Sequence, residues 1–348
     1  MKVKMADIAE LSGVSISTVS RALRYENDRP VSSETAARIF EAAGKLGYFS
    51  SSPYSSGVKF KNSDPPGTLA CILTSHFDTY DDYFFMQMLS GINTESERLN
   101  YRITHNFAAS DYDSKQVVSQ LSTGKFDGLI LLGRYDKKTL DELVPFSSNI
   151  VYSGLNKLNI GIDEVICDAY GAISSLTTYL IKSGCKNICY IGAIPERRIG
   201  IVNEHRFKAF CDTLTLNGMC VSDALCIDIE PGMNSGYLAT LGLIGMKEPI
   251  DAIVCANDTT ALGVIRALNE NGIKIPDEIS VVGMGFDNSE MGEYMIPKLT
   301  TADMQLKEIG RFAVKVLVDR IEGHHDIPVT TLLPYKLVIR GSSREMPP

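Results

Sequence analysis

The sequence has no apolar run of 18 residues or more, so it offers no transmembrane helix. Its start, MKVKMADIAE, lacks an apolar h-region, so no secretory signal is expected. The eight cysteines, Cys71, Cys167, Cys185, Cys189, Cys211, Cys220, Cys226 and Cys255, are scattered and form no CxxC pair. Metal-ligand spacing is missing, and several of these thiols fall in strand-like runs such as LACIL and AIVCAN, where cysteine packs as a small apolar residue. A chain of the reducing cytoplasm, without a bound metal, is expected. GxSxG, HExxH and GxxxxGK[ST] are all absent, and His76, His105, His205, His324 and His325 have no partners at catalytic spacing. His324 and His325, beside Gly323, read as solvated. GMGFDN follows a strand-like run but lacks the third glycine of a dinucleotide fingerprint and comes late in the chain. Neither an enzyme nor a cofactor-binding protein is expected.

What is present is an uneven charge. The net charge of the 348 residues is −8. Residues 1–62 hold nine Lys/Arg against six Asp/Glu, while the remainder holds 25 against 36. A small basic head on an acidic body is the asymmetry expected of a nucleic-acid-binding module joined to another domain.

The head carries a specific pattern over Met5–Leu23, MADIAELSGVSISTVSRAL. Met5, Ile8, Ala9 and Leu11 give a first helical segment an apolar face. Gly13 permits a sharp turn, Ser15 is a suitable N-cap for a second helix, and Val19 and Leu23 lie four apart on that helix's inner side. Ile16, Ser17, Ser20, Arg21 and Arg24 remain on the outer side. This is a helix-turn-helix pattern, whose second helix enters the major groove. A third helix is read at 33–46, with Ala36, Ile39, Phe40, Ala43 and Leu46 as its apolar stripe and Gly47 as its stop.

The wording DIAELSGVSISTVSRAL resembles the DNA-binding signature of the LacI/GalR family of bacterial transcription regulators. The resemblance implies an all-α helix-turn-helix head over 1–48, a hinge at 49–67 and a ligand-binding core at 68–343. Residues 49–67 have the Ser/Pro/Gly content of a linker. The family's minor-groove leucine falls on Gly57, so a weak hinge helix is expected.

Beyond residue 68, short apolar runs (68–73, 101–107, 126–132, 149–154, 187–192, 252–257 and 279–284) alternate with helical stretches such as 82–99, 170–182, 204–216 and 259–270. Repeated βα units imply an α/β core of doubly wound parallel sheets. The resemblance implies two such lobes, periplasmic-binding-protein-like and joined by three crossovers. It places one at about 68–166 plus 300–328 and the other at about 167–299 plus 329–343. A ligand would sit at the carboxyl ends of the strands, between the lobes.

Candidate functional residues follow. On the recognition helix, Ser15, Ile16, Ser17, Thr18, Ser20, Arg21 and Arg24 form the DNA-binding set. Ile16, Ser17 and Arg21 match the family's specificity positions, while Thr18 and Ser20 can reach phosphates. In the core, the resemblance carries ligand contacts onto Arg206 in EHRFKAF, Asn257 in ANDTTALG and Asp287 in GMGFDNSE. Asp258 reads as a helix cap, Met304 replaces a polar family position, and Tyr83, Phe84 and Phe85 read as core residues that could otherwise stack on a sugar. A carboxylate, an amide and an arginine converging on a cleft suit a neutral polyol.

The expected partners are operator DNA, a small sugar or glycoside effector with a galactoside first, and a second copy of the chain. The competing readings are a sugar-binding protein with a vestigial head, and a regulator answering to a phosphocarrier protein or a nucleobase. Arg21 can hold guanine O6 and N7 together. Arg21→Ala should therefore cost about 1–3 kcal/mol of discrimination, read as a loss of preference for the cognate duplex in a mobility-shift titration.

Overall fold

The structure, a computed structural model, describes residues 5–19, 67–74, 83–109, 126–133, 137–195, 204–246, 248–285 and 295–347, and the single positions 35, 38, 39, 42, 121 and 135. It falls into two units, Met1–Ser63 and Asp64–Pro348.

In the first unit, helix α1 (Met5–Ser12) ends at Gly13, whose φ of 68° lies in the left-handed region that glycine tolerates. Ser15 caps the next helical stretch: its Oγ accepts from Thr18 N at 3.2 Å, and its carbonyl accepts from Val19 N at 3.0 Å. Ile8, Ala9, Val19, Ile39 and Ala42 form the buried cluster, with Met5 and Val14 packed against it.

Leu11 departs from its expected place, being 53% exposed. It stands roughly a third of a turn from the face that Met5, Ile8 and Ala9 share. Ser12 occupies that face instead, buried, with its hydroxyl donating to Ile8 O at 2.6 Å. Ala42 is buried one position before the Ala43 of the expected stripe. Leu23, Ala36, Phe40, Ala43, Leu46 and the hinge up to residue 66 lie outside the described residues.

The second unit holds two six-stranded sheets. The first is built from β1 (Gly67–Thr74), β2 (Tyr101–Ala109), β3 (Gly128–Gly133), β4 (Ile150–Gly154) and β5 (Asp163–Cys167), joined by the late strand β11 (Thr330–Leu333). Its spatial order is β11-β5-β4-β3-β1-β2, parallel throughout. The second contains β6 (Ile188–Gly192), β7 (Cys226–Asp228), β8 (Ala252–Cys255), β9 (Ser280–Met284), β10 (Thr300–Asp303) and β12 (Lys336–Val338). Its order is β12-β10-β9-β8-β6-β7, and β12 alone runs antiparallel. Alternate residues of β1 face opposite cores: Leu69, Cys71 and Leu73 on one side, Ala70 and Ile72 on the other. That two-sided burial is why these runs read as continuous apolar stretches.

The pairing redraws the expected lobe boundaries. Residues 300–303, assigned by resemblance to the first lobe, pair with β9 in the second. Thr330–Leu333, assigned to the second, pairs with β5 in the first. The chain therefore changes lobe between β5 and helix α4 (Ala169–Lys182), between β10 and helix α8 (Leu306–Ile321), and between β11 and β12.

Helices α2 (Tyr83–Arg98) and α3 (Lys137–Leu143) belong to the first lobe, with α8 returning to pack on α2. Helices α5 (Arg206–Leu216), α6 (Met233–Met246) and α7 (Asp258–Glu270) belong to the second. In each lobe, glycines close a helix crossing among the described residues. A Cβ on Gly310 of α8 would overlap Met88 O of α2, and one on Gly91 would overlap Lys307 O. A Cβ on Gly236 would overlap Thr260 O, and one on Gly263 would overlap Met233 O.

Two buried carboxylates pin α8. Glu95 accepts from Arg98 Nη2 at 2.6 Å and Arg311 Nε at 3.1 Å. Asp163, at the start of β5, accepts from Arg320 Nη2 at 2.9 Å, Val329 N at 2.8 Å and His325 Nε2 at 2.9 Å. His325 is thus a structural partner, not a solvated side chain as expected; a buried carboxylate draws it in.

Gly310→Ala should destabilise the protein. Overpacking costs about 1–3 kcal/mol, against at most about 1 kcal/mol returned by better helix propensity; urea unfolding reads the difference. Burial opposes the charge on Asp163, yet Arg320, the Val329 N–H and His325 together hold its pKa below the usual carboxylate range. A depressed folded pKa means stability that is present at neutral pH and lost on acidification. The melting temperature should fall from about pH 5 downward, and Asp163→Asn should flatten that limb in a thermal-melt pH series.

Candidate functional site

On the head, the expected DNA-binding residues divide between described and undescribed positions. Ser15, Ile16 and Ser17 are exposed, and Thr18 is half-buried. Ser15 Oγ lies 2.8 Å from both Ser17 Oγ and Thr18 Oγ1, so the hydroxyls form a small network at the helix start. Ile16 is 54% exposed, a large apolar side chain held in solvent. Such a side chain at the start of a recognition helix can meet a thymine methyl. Ser20, Arg21 and Arg24 lie outside the described residues.

In the core, Arg206 and Asn257 come together at the carboxyl edge of the second lobe. Arg206 opens α5 and is 1% exposed. Its Nη1 donates to Ala256 O, the residue before Asn257, at 2.7 Å. Its Nε donates to Glu204 Oε1 at 2.8 Å, its Nη2 donates to Glu204 Oε2, and its backbone N donates to the same carboxylate at 3.0 Å. Burial works against the guanidinium's charge, but the adjoining Glu204 carboxylate outweighs it, so Arg206 stays firmly charged. Tyr190 on β6 stacks beside this pair, its ring 5.3 Å from Phe207 and 5.4 Å from Phe210.

Asn257, not Asp258, is the N-cap of α7: its Oδ1 accepts from Thr260 N at 2.8 Å. That bond fixes the amide plane and leaves the N–H2 group as a donor. Asp258 is buried and accepts from Thr301 Oγ1 at 2.8 Å on both oxygens, tying α7 to the crossover strand β10.

Asp287 and the side chains of Tyr83 and Phe84 lie outside the described residues. Phe85 and Met304 are buried in the core. Glu204 is the residue that reading the motif missed. Its signal was a carboxylate two positions before the arginine in EHRF.

Cys71 and Cys167 are buried, and burial pushes both thiols up to about 12. Among the described residues no group of His, Cys, Asp or Glu could hold a metal ion, and no helix is long and apolar enough to cross a membrane. A hollow of about 510 Å³ at the amino edge of the second lobe, near Leu214 and Met219, has exposed Lys186 as the one charged side chain among the described residues that line it.

Residues 4–51 match the family described as bacterial regulatory proteins, lacI family, and residues 177–343 match the periplasmic binding protein-like domain. The chain is 28% identical over 350 residues to the HTH-type transcriptional regulator GalR of Streptococcus thermophilus, covering 98% of this chain and 99% of that one. It is 27% identical to the HTH-type transcriptional repressor CytR of Escherichia coli K12, covering 99% and 97%. Among solved structures, a transcriptional regulator CelR–cellobiose complex superposes with a TM-score of 0.70 at 23% identity, covering 98% of this chain and 100% of that one. The lac repressor dimer bound to operator and the anti-inducer ONPF gives a TM-score of 0.70 at 21% identity, covering 99% of each. A helix-turn-helix head, a two-lobed α/β core and full-length likeness to DNA-binding regulators rather than enzymes agree: this chain belongs to the LacI/GalR family of bacterial transcription regulators.

Proposed function

We propose that this regulator is a cytoplasmic repressor of a carbohydrate-utilisation operon, released or engaged by a neutral sugar or glycoside held between the core lobes. In this reading residues 1–48 bind the operator, 49–67 form the hinge, and 68–343 sense the effector. The observation that carries it is the juxtaposition of Arg206 and Asn257, joined through Ala256 O at 2.7 Å. A guanidinium with N–H groups to spare and a fixed amide N–H2 are donors that match adjacent hydroxyls, and a ligand missing one hydroxyl leaves a donor unpaired. Asp287, by resemblance, supplies the acceptor. A galactoside is the first candidate.

Operator recognition rests on Ser15, Ile16, Ser17, Thr18, Ser20, Arg21 and Arg24. The apolar face of α6 favours a homodimer. Leu238 and Leu241 are 56% and 36% exposed, Met233 and Met246 are 49% and 47% exposed, and a second copy would cover them. Two-fold symmetry pairs two heads with a pseudo-palindromic site. Effector and operator affinities are then reciprocally coupled.

The test has two steps on the full chain. A thermal-shift screen of galactosides, glucosides and nucleosides should raise the melting temperature with a neutral sugar, because that ligand binds only the folded core. Duplexes selected by the protein from a random pool should be pseudo-palindromic, and the same sugar should change their mobility-shift affinity. No retained duplex, or a response to nucleosides alone, defeats the reading.

A further inference from the structure

The Arg206–Glu204 pair does more than hold a donor in place. Arg206 carries five N–H groups, of which Glu204 takes two and Ala256 O one. One N–H on each of Nη1 and Nη2 therefore has no partner among the described residues. Glu204 is itself 4% exposed, so the pair is buried as a unit with little solvent to screen it. In the stretches 188–195, 204–246 and 248–258, the other described cation is Lys208, which is exposed and paired with Asp212 at 2.6 Å. Glu230 also acts electrostatically on Arg206. The donors of the guanidinium are thus backed by the opposite charge of Glu204, bonded to it through Nε and Nη2.

We infer that Glu204 is a specificity-determining residue of the effector cleft: it neutralises Arg206 and so admits neutral polyols while rejecting ligands that carry a phosphate or carboxylate. This rests on the cleft reading above. An arginine without that partner would be the natural seat of an anion, because its planar fork matches phosphate and carboxylate. With Glu204 in place, an incoming anion meets a buried like charge behind the donors, and rejection follows from repulsion instead of from shape.

The experiment uses the full chain and inorganic phosphate as the probe, with sodium chloride matching ionic strength. The variants are Glu204→Gln, which keeps the shape and removes the charge, and Glu204→Ala, with folding of each checked by circular dichroism. Wild type should show no phosphate-dependent rise in melting temperature beyond the chloride control. Glu204→Gln should gain phosphate affinity by roughly tenfold or more, since a buried like charge at close range is worth at least that factor. Adding Arg206→Ala to either variant should abolish the gain.

A folded Glu204→Gln protein no more responsive to phosphate than wild type overturns the inference, and so does a wild type that already binds phosphate in an Arg206-dependent way. Should the Gln variant fail to fold, the Ala variant decides by the same criterion. The sugar screen separates the two claims. A gain of phosphate binding where no sugar stabilises wild type removes the sugar effector and keeps the charge filter; sugar binding without that gain removes the filter alone.

Discussion

Between Cys167 and Ala169, between Asp303 and Leu306, and between Leu333 and Lys336, the chain leaves one sheet for the other. Each passage is only a few residues long, and together they decide what the two lobes can do. Gln305 sits at φ 51°, its N donating to Asp303 Oδ1 at 2.9 Å, and its Nε2 donates to Pro334 O at 2.9 Å. The second passage is thus bonded to the third. Tyr335 Oη lies 2.7 Å from Ser175 Oγ on α4, the helix that follows the first passage. Three short links held against one another leave rotation as the easy relative motion, with sliding and separation resisted. A few residues absorbing a rotation is how hinge closure works in two-lobed binding proteins.

The residues beside the passages carry this constraint to the cleft. Asn257 caps α7 with the same side chain that is proposed to offer donors to an effector, and its neighbour Asp258 is bonded to Thr301, two residues before the second passage begins at Asp303. A Cβ on Gly283 would overlap Asp258 Oδ1, so β9 also closes on this carboxylate. The start of α7, the proposed effector edge, and the strand that crosses between lobes are therefore one rigid piece. In the first lobe the equivalent anchoring falls to Glu95 and Asp163, which hold α8 by Arg311 and Arg320.

The sequence was most legible where burial is symmetric. β1, β3, β4, β6, β8 and β9 all show as apolar β-branched runs because both faces are covered. It was least legible where context overrides composition. DEVIC reads as polar, yet Asp163 and Glu164 are buried in β5 because Arg320 bonds one and the N–H groups of Leu158 and Asn159 bond the other. Helix α6, MNSGYLATLGLIGM, has no single apolar stripe, since Gly236 packs against α7 while Leu238 and Leu241 face outward. The swap of 300–303 and 330–333 between lobes could not be read locally, because strand pairing is a long-range fact. Arg206 and Asn257 were singled out by their motifs, and the fold brings them together through Ala256 O. Glu204 was not singled out, because a lone carboxylate beside an arginine in a sequence is most often a solvated pair.

Buried ion pairs contribute little net stability, since desolvation cancels most of the attraction. Glu95 and Asp163 make sense on that footing as registers: each receives donors from two elements and fixes how α8 lies on its lobe. Glu204 receives donors from Arg206 through Nε, Nη2 and the backbone N. What these bonds fix is the plane and the charge of one side chain at the open edge of a sheet, the two properties on which the proposed choice of ligand turns.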